Sequence, residues 1–136
     1  MMSANETCLH RQAFTPDGVP AETLATDRLL NRSWAEVDLR AIRDNMKSLR
    51  QSIRRRTEIC AVVKADAYGH GVSEVVPVLL ANGATRLAVS MLDEAIELRR
   101  SGVDAPILVL GFTDPRRAEE IIANNITQTV YSRDLA

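Results

Sequence analysis

The chain is 136 residues long, enough for one modest domain, and its 46% apolar and 26% charged content is that of a soluble globular protein. Seventeen basic against eighteen acidic residues leave a net charge of −1. That balance gives no global basic field for nucleic acid, and no apolar stretch approaches the ~18 residues of a membrane span. The N-terminus also lacks the continuous apolar core of a secretory signal, so a cytoplasmic location is expected. Cys8 and Cys60 read as free thiols in a reducing compartment, and with His10 and His70 they make no zinc-ligand spacing.

Residues 1–33 are polar, with Pro16, Gly18 and Pro20 and no sustained period, and read as a mobile N-terminal extension. Residues 34–136 carry the folded part. Trp34 to Asp38 alternates apolar and polar residues and predicts a short strand. Leu39, Ile42, Met46, Leu49 and Ile53 then follow at spacings of three and four, one face of a helix capped by Asp38. Arg54-Arg55-Arg56 reads as the solvated end of that helix.

Ile59 to Val63 is uncharged and rich in β-branched residues, the pattern of a strand buried on both faces in a parallel sheet. It ends abruptly at Lys64. Gly69 and Gly71 break the chain into a tight polar loop, and a helix is predicted from Val72, with Pro77 tolerable only near a first turn. Asn82 and Gly83 stop it, with Gly83 the left-handed residue. Further units follow: strand Arg86 to Ser90 and helix Leu92 to Arg100, ended by Gly102; strand Pro106 to Leu110, closed by Gly111; a helix capped by Thr113 or Asp114 with Pro115 in its first turn; and strand Ile126 to Tyr131. Ser132 is placed to cap one helix more.

Strands alternating with helices build a parallel α/β sheet. A complete (β/α)8 TIM barrel needs about 250 residues, so the fold expected here is a partial barrel, roughly its first half. In such sheets ligands collect at the carboxyl ends of the strands, where Lys64 stands with Tyr68 in the loop above it. Desolvation disfavours an ammonium ion, and a neutral amine is a nucleophile able to form a Schiff base with an aldehyde. The bland alternative is a lysine that ends a strand and reaches out to solvent.

Lys64-Ala65-Asp66-Ala67-Tyr68-Gly69-His70-Gly71 closely resembles the pyridoxal-phosphate attachment motif of the alanine racemases. The resemblance continues through Asn82-Gly83-Ala84, Arg86-Leu87-Ala88-Val89-Ser90, Leu92-Asp93-Glu94-Ala95, Leu98-Arg99 and Pro106 to Gly111. It covers roughly Trp34 to the end of the chain. It implies that Lys64 holds pyridoxal 5'-phosphate and serves as a base, that Tyr68 contacts the cofactor phosphate, and that Val62 and Leu110 line the cofactor ring. Asp66 and His70 read as residues that fix the loop. Tyr131 and Arg133 lie where a barrel places functional groups, without a motif to support either.

The reaction implied is interconversion of L- and D-alanine for peptidoglycan synthesis by a homodimer. The second base of the family, a tyrosine of the other subunit, falls outside this sequence, as do the arginines expected near the pyridine nitrogen and the substrate carboxylate. The chain is therefore expected to be a truncated, inactive portion of the enzyme. Two alternatives stay open. One is a serine or broad-specificity amino-acid racemase; the other is a non-catalytic pyridoxal-phosphate-binding or truncated product.

Overall fold

In the computed structural model, which describes residues 35–133 and 136, four short strands pair in parallel in the order β1-β2-β3-β4. They are β1 (Cys60–Val62), β2 (Arg86–Val89), β3 (Ile107–Val109) and β4 (Ile126–Gln128). Each strand pairs only with its neighbours in sequence, the arrangement that successive strand–helix units produce in a barrel wall. Helix α1 (Leu39–Ser52) precedes β1, while α2 (Val72–Ala81), α3 (Leu92–Arg100) and α4 (Ala118–Ala123) fill the connections. A 3-10 turn, Pro115–Arg117, leads into α4. This is the α/β architecture of the first part of a (β/α)8 barrel. Residues Leu39–Ala136 form one compact unit.

Register decides which side of the sheet each residue serves. Ala61 lies opposite Leu87, Leu87 opposite Ile107 and Ile107 opposite Ile126; one position further on, Val62, Ala88, Leu108 and Thr127 form the next row. Successive side chains on a strand point to opposite faces, so the first row meets the helices and the second faces away from them. Leu87, Ile107 and Val109 are at most 1% exposed and join Val76, Leu92, Ala95 and Leu98 in the main core. Burying each of the large aliphatic side chains contributes roughly 1.5–3 kcal/mol. A smaller cluster of Met46, Ile59 and Ala84 seats α1 against the sheet's amino-terminal side.

Several expectations need correction. β1 is covered on one face only, with Ala61 half-buried against the core and Cys60 and Val62 exposed, because the second row has no helix layer over it. Ala35 to Asp38 form no strand, and Trp34 lies outside the described residues. α1 ends at Ser52, so Arg54 to Arg56 form an exposed turn beyond the helix rather than its end. Leu49, assigned to the core stripe, is 46% exposed. Pro77 sits well inside α2 rather than in its first turn. Its missing N–H would have bonded the Ser73 carbonyl, and both residues lie on the helix surface, where water can replace that bond. The strands are also shorter than expected, three or four residues each.

Other boundaries hold. α3 spans Leu92 to Arg100, Gly83 and Gly102 take left-handed backbone, and the Asp114 carboxylate accepts the Arg116 N–H at 2.9 Å as the expected cap. The expected extension at residues 1–33, Cys8 and His10 lie outside the described residues, as do Asp134 and Leu135 after Ser132. Among the described residues, no helix is long and apolar enough to cross a membrane, and no group of three or more His, Cys, Asp or Glu residues could hold a metal ion.

Candidate functional site

β1 delivers Val62 and then Lys64 to the carboxyl end of the sheet. Val62 lies on the side free of helices, and Lys64 follows two residues later, beyond Val63, where the backbone (φ −125°, ψ 25°) has left the extended conformation. Leu110 continues β3 on that side, two beyond Leu108, and its N–H is held by the Val89 carbonyl at 2.9 Å. Val62 and Leu110 are 41% and 43% exposed. Two strand spacings separate their strands, roughly 10 Å. Val62 and Leu110 thus border one open apolar surface, with Lys64 two residues beyond Val62 in the chain. The Lys64 ammonium nitrogen lies 5.9 Å from the centre of the Tyr68 ring, within cation–π range, and Tyr68 is itself exposed.

The loop after Lys64 is not an irregular connection. Ala65, Asp66, Ala67 and Tyr68 all have φ between 49° and 57° and ψ between 36° and 55°, one turn of left-handed helix within the segment Lys64–Gly69. L-residues resist this conformation by roughly 1–2 kcal/mol each, so the surroundings must hold the turn. Ala67 is buried, and its N–H bonds the Val63 carbonyl at 3.0 Å. The Asp66 carbonyl accepts the Gly71 N–H at 3.0 Å, and the Asp66 carboxylate accepts the Val72 N–H at 2.7 Å at the start of α2. His70 Nδ1 lies 2.9 Å from the Ala67 carbonyl oxygen. Asp66 and His70 therefore fix the loop.

Glu94 was not singled out by sequence reasoning. Its Oε1 accepts the Ala65 N–H at 2.6 Å, and its Oε2 accepts the N–H groups of Ser90 at 2.7 Å and Met91 at 2.9 Å. The last bond is visible in sequence as an acidic residue three positions beyond a helix cap. The first is not, because it spans 29 residues. Thr113 and Gln128 were also missed: the buried Thr113 hydroxyl donates to Gln128 Oε1 at 2.6 Å, and Gln128 Nε2 donates to the Gly111 carbonyl at 2.7 Å. Together they hold the loop that carries Leu110. Tyr131 is exposed beyond β4, and none of the described contacts ties it to Lys64.

The sequence profile of the family "Alanine racemase, N-terminal domain" matches residues 37–136. The chain belongs to the alanine racemase family. It is 57% identical over 103 residues to the alanine racemase of Clostridium tetani, a match covering 76% of this chain and 26% of that protein. Among solved structures it is similar to alanine racemase from Bacillus anthracis with bound L-Ala-P, at 46% identity and a TM-score of 0.71, covering 73% of this chain and 26% of that one. It is also similar to the histidine racemase of Leuconostoc mesenteroides, at 39% identity and a TM-score of 0.66, covering 71% and 26%. The chain thus spans about a quarter of the length of these relatives. Within the alanine racemase family framework, the motif residues Lys64 to Gly71 occupy the end of the first strand described here.

Proposed function

We propose that this chain forms the cofactor-anchoring part of a pyridoxal-phosphate-dependent alanine racemase, with Lys64 as the attachment point. One observation carries the reading. A primary amine follows the carboxyl end of β1 in a parallel sheet, at the start of a strained turn held by the Glu94 carboxylate from another strand–helix unit. The donor set suits the cofactor: an amine for an aldehyde, an exposed phenol for a phosphate, and two half-exposed aliphatic side chains for an aromatic ring. When bound, pyridoxal phosphate supplies that aldehyde and an electron-withdrawing ring that acidifies the α-carbon of an amino acid.

The chain's own residues then have distinct tasks. Lys64 Nζ binds the cofactor and, once released, takes or returns a proton at the α-carbon from its own side. The Tyr68 hydroxyl donates a hydrogen bond to the phosphate. Val62 and Leu110 exclude water from one face of the ring. Racemisation needs a second proton carrier on the opposite face, which the family resemblance assigns to the other subunit of a homodimer. The likeness to a histidine racemase favours a second reading, the same chemistry on a different amino acid. A cytoplasmic setting accords with the unpaired Cys60 thiol and with the supply of D-alanine to peptidoglycan.

Mixing the purified chain with pyridoxal phosphate tests the anchor. A Schiff-base absorbance band that borohydride abolishes while leaving a reduced covalent adduct on Lys64, and that never forms in Lys64→Ala, is the expected result. Equal labelling of both proteins would remove Lys64 from the role.

A further inference from the structure

We infer that Glu94 is a positioning residue for Lys64: its carboxylate locks the peptide that follows the lysine to the start of the next helix, and so fixes the direction in which the amine leaves β1. This rests on the reading of Lys64 as the cofactor anchor. The Lys64–Ala65 peptide leads into the left-handed turn, with Ala65 at φ 49°, after the chain has left the extended conformation at Val63. The rotation of that peptide sets where the Lys64 side chain emerges. Its N–H donates to Glu94 Oε1 at 2.6 Å, a hydrogen bond from another structural unit.

Glu94 is itself immobilised. It stands in the first turn of α3, between the buried Leu92 and Ala95, and its other oxygen accepts both Ser90 and Met91 N–H groups. A carboxylate accepting three backbone N–H groups is a charge-assisted cluster, stronger than neutral hydrogen bonds. The opposite end of the turn is held separately, by Asp66 on the Val72 N–H. Two carboxylates thus pin a backbone that L-residues do not adopt unaided, and the one nearer the lysine belongs to a different strand–helix unit. Asp66 holds the shape of the turn; Glu94 ties that shape to β2 and therefore to the surface on which Leu110 also lies.

The chain has only two lysines, Lys64 and the exposed Lys47 on α1, so each molecule carries its own reference amine. Limiting pyridoxal phosphate, borohydride reduction and peptide mapping give the ratio of adduct on Lys64 to adduct on Lys47. In the unmodified chain that ratio should be well above one. In Glu94→Gln, which keeps the side chain's size but replaces one acceptor oxygen with a donor, it should fall by about tenfold, with the helical circular dichroism retained. Glu94→Asp keeps the charge but is one methylene too short for both sets of donors, and should not restore the ratio.

An unchanged ratio in a folded Glu94→Gln would overturn the positioning role while leaving Lys64 as anchor. A ratio near one in the unmodified chain would instead overturn the anchor reading itself. Should the variants unfold, amide hydrogen exchange on the unmodified chain decides. The Ala65 N–H, on an exposed residue, should exchange at least about tenfold more slowly than the exposed amides of Arg54 to Arg56, and exchange as fast as theirs would overturn the role.

Discussion

Gly111 passes so close to Ser90 that a β-carbon on it would stand 2.5 Å from the Ser90 carbonyl oxygen, the same oxygen that accepts the Gly111 N–H at 3.0 Å. The obstacle is backbone and cannot swing aside. Gly111→Ala must separate β3 from β2 at the end that carries Leu110, and should cost about 1–3 kcal/mol. Urea denaturation of both proteins measures this directly. A loss under about 0.5 kcal/mol would mean that the two strand ends separate freely.

Arg99 is bonded to four backbone carbonyls: Asn124 through Nε, Val103 and Ala105 through Nη1, and Asn125 through Nη2, at 2.6–2.9 Å. It joins the end of α3 to the entrances of β3 and β4. Lysine is a point charge without the planar fork, so Arg99→Lys should lose about 2 kcal/mol despite conserving charge. Equal unfolding midpoints for the two proteins would contradict the assigned role.

Thr113 buries its hydroxyl against Gln128 Oε1. Thr113→Val preserves the shape but leaves that amide oxygen without its donor, at a cost of about 1–2 kcal/mol. A double-mutant cycle with Gln128→Leu should show coupling between the two sites, because the second substitution removes the stranded acceptor. Strict additivity would indicate that the hydrogen bond contributes nothing.

Ala65 adopts positive φ without a glycine's freedom. Ala65→Gly should therefore leave stability unchanged or raise it by up to about 1 kcal/mol, in contrast to the usual penalty of glycine inside secondary structure. Thermal unfolding distinguishes the two outcomes. A clear destabilisation would argue that the left-handed turn is not the native backbone.

Stability should respond to acid in a defined direction. The Arg116 guanidinium and backbone N–H hold the Asp114 carboxyl down to about 2, below its ordinary 3.8. Arg43 lowers Asp44, and Arg117 lowers both Asp93 and Glu120. All four folded-state values lie below the unfolded ones. Their contribution is therefore fully present above about pH 5 and is lost as pH falls through about 4 towards 2. These groups are exposed, so salt should flatten the slope, and Asp114→Asn should remove part of it. Denaturation midpoints measured from pH 6 to pH 2 at two ionic strengths check both points; a midpoint that rises on acidification would reverse the sign.

Much of this was legible in the residues. The octapeptide from Lys64 carried the family, and the helix stops at Gly83 and Gly102 and the cap at Asp114 are local signals that the fold respects. The left-handed turn was not legible, because Ala65-Asp66-Ala67-Tyr68 contains no glycine, and its conformation is imposed by partners up to 29 residues away. The exposure of Val62 was missed for a related reason. An apolar run shows that a strand is apolar, while the number of layers covering it is set by tertiary packing. Glu94 lay inside a motif that had already been quoted, yet the half of its role that matters for Lys64 depends on the strand register.

The order of strands has a consequence for how the chain assembles. Each pairing joins nearest neighbours, with Cys60 meeting Arg86, Leu87 meeting Ile107 and Ile107 meeting Ile126, so the loops to be closed span 26, 20 and 19 positions. Closure entropy varies only logarithmically, and these three steps differ by about 0.3 kcal/mol at most. None of the three pairings among the described strands waits for a distant segment of the chain. The wall can grow one unit at a time, in the direction of synthesis, each new strand laid against one already in place. The Lys64 turn, however, becomes fixed only when Glu94 arrives with the second unit.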